Sequence, residues 1–228
     1  MSDPLPSLTV TSSASPLRLS PADAIALLET HGTPDQKSRL MAPMIAGDWT
    51  GTMCLTEPQS GSDLSGVRTK AEPADGGLFR ISGTKIFITW GEHDMAENIV
   101  HLVLARTPDA PEGVKGISLF IVPKFILSAE GSTGARNDVK CVSLEHKMGI
   151  HGNATCQINL DAAIGWLIGE PHRGLNAMFV MMNAARLGVG MQSLGLTEVA
   201  YQNARTYASE RIQGRSLTGP KSESQPAD

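Results

Sequence analysis

From Trp49 to Ile168 the sequence runs in short β-branched and aromatic segments, each cut off by glycine, proline or asparagine. That rhythm limits the fold more than any other feature of the chain. Leu78–Ser82, Lys85–Thr89, Asn98–Arg106, Ile117–Val122, Val139–Glu145 and Ala154–Leu160 have the length and composition of strands. Between them lie Asp75-Gly76-Gly77 and the stretches 108–113, 131–137 and 149–153, rich in turn-forming residues. Strands joined by turns predict an antiparallel β-barrel or sandwich and argue against a βαβ sheet. No Gly-x-Gly-x-x-Gly follows a strand, so the Rossmann reading fails.

The flanks read differently. Ser20-Pro21-Ala22-Asp23 has a capping serine, a proline at the first helical position and an acid in the first turn, predicting a helix that stops at Gly32. Thr33-Pro34-Asp35-Gln36 repeats the device as a capping box, and Leu40, Met41, Met44 and Ile45 give the second helix an apolar face before Gly47. Residues 20–48 are therefore expected to form a helical hairpin. Leu175 to Glu210 contains no proline and spaces Phe179, Met182, Leu187, Val189, Leu194 and Leu196 as one long, mostly buried helix would. Met178, Met181, Met182 and Met191 read as packing for it. The expected organisation is α+β: residues 1–19 disordered, the hairpin over 20–48, a β-domain over 49–170, a helical segment over 171–215 and a flexible tail over 216–228.

Composition narrows the function. A formal charge of −4 and no Lys/Arg block argue against nucleic acid and anionic membranes. No apolar run is long enough to span a bilayer. The Ser/Pro/Thr-rich N-terminus lacks the pattern of a signal or transit peptide. Cys54, Cys141 and Cys156 have no metal spacing and read as buried, reduced thiols of a cytoplasmic protein.

The most informative stretch is Met53-Cys54-Leu55-Thr56-Glu57-Pro58-Gln59-Ser60-Gly61-Ser62-Asp63. A glycine between two hydroxyl residues can turn backbone N–H groups, Ser60 and Ser62 toward one anion, although the same residues are ordinary turn chemistry. Further along comes Gly83-Thr84-Lys85-Ile86-Phe87-Ile88-Thr89. Together the two resemble the acyl-CoA dehydrogenase family, whose flavin is cradled by a Thr-Glu-Pro-x-x-Gly-Ser-Asp loop and an aromatic-Ile-Thr strand. The similarity extends over about residues 30–215. His31-Gly32-Thr33, Trp49 to Cys54 and Glu210-Arg211-Ile212-Gln213-Gly214-Arg215 are most similar to the long branch that includes 3-methylthiopropionyl-CoA dehydrogenases.

The resemblance implies FAD as cofactor and an acyl-CoA as substrate. Met53, Leu55, Thr56, Gly61 and Ser62 would line the flavin, with Thr56 at its pyrimidine edge and Gly61 and Ser62 at the pyrophosphate or nearby acyl-CoA groups. Phe87 would cover one ring face, Ile88 would lie beside it, and Thr89 would hydrogen-bond the hydride-accepting nitrogen. Arg211 and Gln213 would reach the flavin of a neighbouring subunit, implying a homo-oligomer. Ser62, Asn183 and Arg186 would contact acyl-CoA, with Asn183 where relatives carry an aspartate. Read singly, Thr56 and Thr89 are also ordinary strand residues, Phe87 ordinary core, and Arg211 a cation near a helix C-terminus.

The family's reaction removes an α-proton with a glutamate and passes the β-hydrogen to the flavin as hydride. In the family that glutamate lies well beyond the Glu210–Arg215 motif, so this chain is expected to be catalytically incomplete alone. Glu57 is expected to be structural, while Glu92, His93 and Asp94 read as a solvated loop rather than a metal site. His146 and His151 have no third ligand in view. Two other expectations stay open: a non-catalytic nucleotide-binding or interaction subunit completed by another dehydrogenase polypeptide, and oxidase-type chemistry on the same fold.

Overall fold

The computed structural model describes residues 16–128 and 131–211, with backbone alone for 16–22. The segments 1–15 and 212–228, and with them Gln213 and the expected tail, lie outside the described residues. The chain divides into two compact units, one ending at Met182 and the other beginning at Asn183.

In the first unit, helices α1 (Pro16–His31) and α2 (Pro34–Ala46) form the expected hairpin. α1 begins four residues before the expected Ser20 cap, at a proline, whose fixed φ suits a first helical turn. The capping box of α2 is complete: the Gln36 N–H donates to Thr33 Oγ1 at 3.2 Å and the Thr33 N–H to Gln36 Oε1 at 3.0 Å. Gly47 ends α2 at φ 89°, a conformation that costs residues with a Cβ.

Among the described residues nine strands follow: β1 (Trp49–Cys54), β2 (Lys70–Pro73), β3 (Phe79–Thr89), β4 (Asn98–Ala105), β5 (Ser118–Pro123), β6 (Phe125–Leu127), β7 (Thr133–Arg136), β8 (Val139–Leu144) and β9 (Thr155–Ile168). The main sheet has the order β1-β4-β5-β9-β3-β2, with β8 on β9; β6 and β7 pair separately. Beyond β4 the chain meets β2: the Ala71 N–H donates to the Arg106 carbonyl at 2.8 Å and the Arg106 N–H to the Thr69 carbonyl at 2.9 Å. The ring from β4 through β5, β9, β3 and β2 thereby closes as a barrel, leaving few open edges.

The sheet departs from the sequence reading in several details, including a strand β7 inside the 131–137 stretch expected to turn. β1 and β4 run parallel, because the chain makes a long excursion through β2 and β3 before returning in the same direction. The two expected strands at 78–89 are one strand, broken in register near Gly83 and again between Lys85 and Ile88. A Cβ at Gly83 would stand 2.4 Å from Thr69 Oγ1, so this close crossing demands glycine. β9 runs to Ile168, well past the expected Leu160, and serves β3 and β8 first and β5 afterwards.

β4 is buried at all eight positions, and its alternation serves two cores. Val100, Leu102 and Leu104 face Leu27, Leu28, Leu40 and Met44 of the hairpin and Ala177, Met178 and Met181 at the start of α3 (Gly174–Glu210). Val103 and Ala105 face the barrel interior with Ile81, Ile88, Phe120, Val122, Ile158 and Leu160. In the second unit, α3 continues as helix, but Leu187, Val189, Met191, Leu194 and Leu196 are each more than half exposed in this chain. The expectation of a mostly buried helix therefore holds only for its first turns; apolar spacing gives a helix a face without supplying what covers it.

Candidate functional site

β1 ends at Cys54 and hands the chain to the Leu55–Asp63 loop. Alternation sends Thr52 and Cys54 into the barrel and Met53 and Leu55 toward the hairpin core, both partly buried. The loop then folds against β3. The Ile86 N–H donates to the Thr56 carbonyl at 2.9 Å, and Lys85 Nζ donates to the Leu55 carbonyl at 3.0 Å. The two stretches singled out in the sequence are thus physically adjacent.

A buried ion pair locks that junction. Lys85 Nζ lies 2.8 Å from Glu57 Oε1, with the side chains 0% and 3% exposed. Thr69 donates to the same oxygen through its hydroxyl at 2.6 Å and its N–H at 3.1 Å. Gln59 Nε2 and the Arg68 N–H serve Oε2 at 2.6 and 2.8 Å. Burial pushes the Glu57 carboxyl upward, but the Lys85 charge and these donors outweigh it and hold the pKa at about 2. Burial pushes the Lys85 ammonium down, and Glu57 pulls it back. Glu57 is therefore a structural carboxylate, as its motif position implied. Lys85 is a partner the sequence reading missed; its signal is a charge at an inward-facing strand position.

Within the loop, Glu57 and Ser60 exchange backbone hydrogen bonds of 2.8 and 3.0 Å. The Ser60 hydroxyl is buried and donates to the Asp63 carbonyl at 2.6 Å, so it does not turn toward an anion as expected beside Ser62. Asp63 accepts from the Ser65 N–H and hydroxyl at 2.9 and 2.8 Å. Gly61 and Ser62 stay exposed at the tip, and a Cβ on Gly61 would come within 3.1 Å of Thr56 Cγ2. Arg106 clamps the far side of the loop, donating to the carbonyls of Ser65 and Val67, each at 2.8 Å. The cleft beside this clamp, about 510 Å³, is lined by Val67, Arg68, Lys70, Glu72, Arg106, Thr107 and Pro108 and by none of the expected site residues.

On β3, Phe87 takes φ 60° where the register shifts, and the residue is 58% exposed. A bulky aromatic held in this region of backbone space is strained, and such strain concentrates at functional positions. Thr89 is exposed as well. Between them Ile88 is 2% exposed, with its side chain in the barrel core, so it presents its backbone on this face. Asn183, Arg186 and Arg211 belong to the second unit, where Arg186 Nη1 donates to Asn183 Oδ1 at 3.4 Å.

The Glu92-His93-Asp94 segment is only in part the solvated loop expected. Glu92 pairs with Lys124, 7% exposed, and with Arg136 Nη2 at 2.6 Å. Lys124 also donates to the His93 carbonyl at 2.6 Å, while His93 Nε2 lies 3.1 Å from Thr50 Oγ1 and Nδ1 accepts from the Met95 N–H at 3.2 Å. Both ring nitrogens are engaged. Among the described residues no group of three or more His, Cys, Asp or Glu is placed to hold a metal ion. Removing the Glu92 charge strands the Lys124 ammonium: Glu92→Gln is expected to lower unfolding free energy by about 2 kcal/mol in a urea titration. A change below about 0.5 kcal/mol would show the node to be solvent-screened.

Behind that node His101 is buried, its Nδ1 2.7 Å from Thr52 Oγ1, and its Nε2 is buried without a partner. Burial pushes its pKa down to about 4.

A closed β-barrel with a Thr-Glu-Pro loop locked to an aromatic-Ile-Thr strand, between a helical hairpin and a long helix, is the architecture of a flavoprotein dehydrogenase middle domain. The chain belongs to the acyl-CoA dehydrogenase family: residues 52–163 match its middle domain. It is 54% identical over 203 residues to a 3-methylmercaptopropionyl-CoA dehydrogenase of Ruegeria pomeroyi, covering 89% of this chain and 34% of the relative. It superposes on butyryl-CoA dehydrogenase of Megasphaera elsdenii with a TM-score of 0.70 at 27% identity, covering 88% of this chain and 49% of that one. An acyl-CoA dehydrogenase of Bacillus anthracis complexed with FAD gives 0.66 at 27% identity, covering 88% and 30%. The chain spans about a third of the length of the curated relative.

Proposed function

We propose that this chain supplies the flavin-binding part of an FAD-dependent acyl-CoA dehydrogenase that desaturates an acyl-CoA thioester between its α and β carbons. The observation that carries this reading is the junction of the two stretches, with Thr56 paired to Ile86, Glu57 locked to Lys85, and Phe87 and Thr89 left exposed beside it. The residues present fit FAD: exposed Gly61 and Ser62 offer donors without a bulky side chain at the tip, and Phe87 offers an uncovered ring. When bound, FAD supplies the acceptor for the β-hydride.

The protein's part is binding and orientation. Met53, Leu55 and Thr56 form one rim, Gly61 and Ser62 hold the pyrophosphate or the neighbouring acyl-CoA groups, Phe87 covers the flavin, and Thr89 donates a hydrogen bond to it. Asn183 and Arg186 are assigned to acyl-CoA, and Arg211 with Gln213 to the flavin of a neighbouring subunit in a cytoplasmic homo-oligomer. Glu57 and Glu92 are both committed to ion pairs, so neither is assigned the α-proton removal. The exposed apolar residues of α3 favour completion by a further polypeptide.

The test is a visible absorption titration of the purified chain with FAD, alongside its mass in solution. A shifted, structured flavin band that stays with an oligomer on gel filtration is the expected result. A folded chain that leaves FAD free at every concentration overturns the reading.

A further inference from the structure

The barrel carries a pair of thiols that the flavin reading does not use. Cys141 lies on β8, which pairs with β9, and is partly exposed; Cys156 lies on β9 and is fully buried. That they share a face follows from the register, which sets them diagonally across the ladder. Leu144 stands opposite Cys156 and Ser143 opposite Gln157, but Cys141 stands opposite Ile158 because the ladder slips between Cys141 and Ser143. In an unbroken ladder Cys141 would face Asn159, whose side chain lies on the other side of β9 from Cys156. The extra residue, Val142, shifts Cys141 by one position and turns both sulfurs to the same face. Cys141 packs against the interior cluster that contains Cys156. Cys54 is separate, on β1 with its thiol 3.4 Å from Thr52 Oγ1.

We propose that Cys141 and Cys156 are a closable dithiol, a modification site that a low-molecular-weight disulfide converts into a cross-strand disulfide between β8 and β9. In the first step the partly exposed Cys141 gives up its proton and its sulfur attacks one sulfur of the oxidant. The oxidant's S–S bond breaks, and one thiolate leaves and takes up a proton. In the second, Cys156 gives its proton to solvent and its sulfur attacks Cys141 sulfur. The mixed disulfide breaks and the second thiol departs. The protein dithiol is oxidised and the oxidant is reduced to a pair of thiols. Burial, together with the neighbouring Cys141, pushes the Cys156 thiol up to about 11, so ring closure is the slow step and accelerates with rising pH.

The site borders the proposed flavin surface without depending on it. Cys156 stands opposite Ile88 and Thr155 opposite Thr89, and a Cβ on Gly91 would touch Cys156 Cβ at 3.0 Å.

The experiment uses the whole folded chain incubated with oxidised glutathione, then alkylated, digested without reductant and mapped by mass spectrometry. The expected product is a Cys141–Cys156 linked peptide pair lighter by two hydrogens, with Cys54 alone alkylated. Its formation rate should rise between pH 7 and 9 while far-UV circular dichroism is unchanged. Cys141→Ser should abolish the linked pair and protect Cys156 from any adduct. A persistent glutathione adduct on Cys141, chain-to-chain disulfides, or linkage only after denaturation would each overturn the proposal. Because the native-chain map decides, it holds even if a serine variant fails to fold.

Discussion

Glu57→Gln is expected to cost about 3–5 kcal/mol of unfolding free energy, because it leaves the Lys85 ammonium in the barrel without its counter-charge. Lys85 is 0% exposed, and its other partner is the Leu55 carbonyl at 3.0 Å. The same change weakens the acceptor that Thr69, Arg68 and Gln59 share, so it also loosens the loop from β3. FAD binding is therefore expected to fall further than stability alone explains. The double variant Glu57→Gln with Lys85→Met should recover most of the lost stability, since removing both charges removes the desolvation cost along with the attraction. Urea unfolding of the two variants beside the parent checks this. If the single variant loses less than about 1 kcal/mol, the pair is not the lock described.

Acidification is expected to destabilise the fold in two separate windows. His101 has an ordinary pKa of 6.5 and about 4 in the folded barrel, lowered first by burial. Between these values the unfolded chain binds a proton that the folded chain refuses, so stability falls as pH drops from 6.5 to 4, by on the order of 3 kcal/mol. Glu57 acts lower: its folded pKa is about 2 against an ordinary 4.5. Its contribution is complete above pH 4.5 and is lost as pH falls from there toward 2. His101→Asn should flatten the upper window and leave the lower one intact. Asparagine keeps an acceptor for the Thr52 hydroxyl without a group that titrates. Identical slopes for parent and variant between pH 6.5 and 4 would show that some other group carries the acid sensitivity.

Much of this protein was legible in its sequence because the relevant signals are local. Thr33 and Gln36 formed their capping box, Gly47 took the left-handed C-cap, and β4, β5 and β8 lie within a residue or so of their expected bounds. The two stretches that resembled the family proved adjacent, and the family assignment rests on a match over residues 52–163. β2, β6 and β7 were missed: β7 lies in the 131–137 stretch read as turn, and Lys70-Ala71-Glu72-Pro73 is charged, ends in proline and is held by its neighbours β3 and Arg106 rather than by propensity.

Sequence alone settles which residues alternate, which positions cap or turn, and which short runs resemble the family's loop and strand. Partnership is fixed only in three dimensions. Period-2 alternation assigns a side chain to a face but names neither the strand beside it nor that strand's direction. Hence the parallel β1–β4 pair, the single β3 running through Gly83, and the double service of β9 could not be read in advance. The same reason hid the Lys85–Glu57 lock, since an ion pair between residues 28 apart exists only once β3 lies against the loop. It also hid the Cys141–Cys156 pair, which a single inserted residue on β8 brings to one face of the barrel.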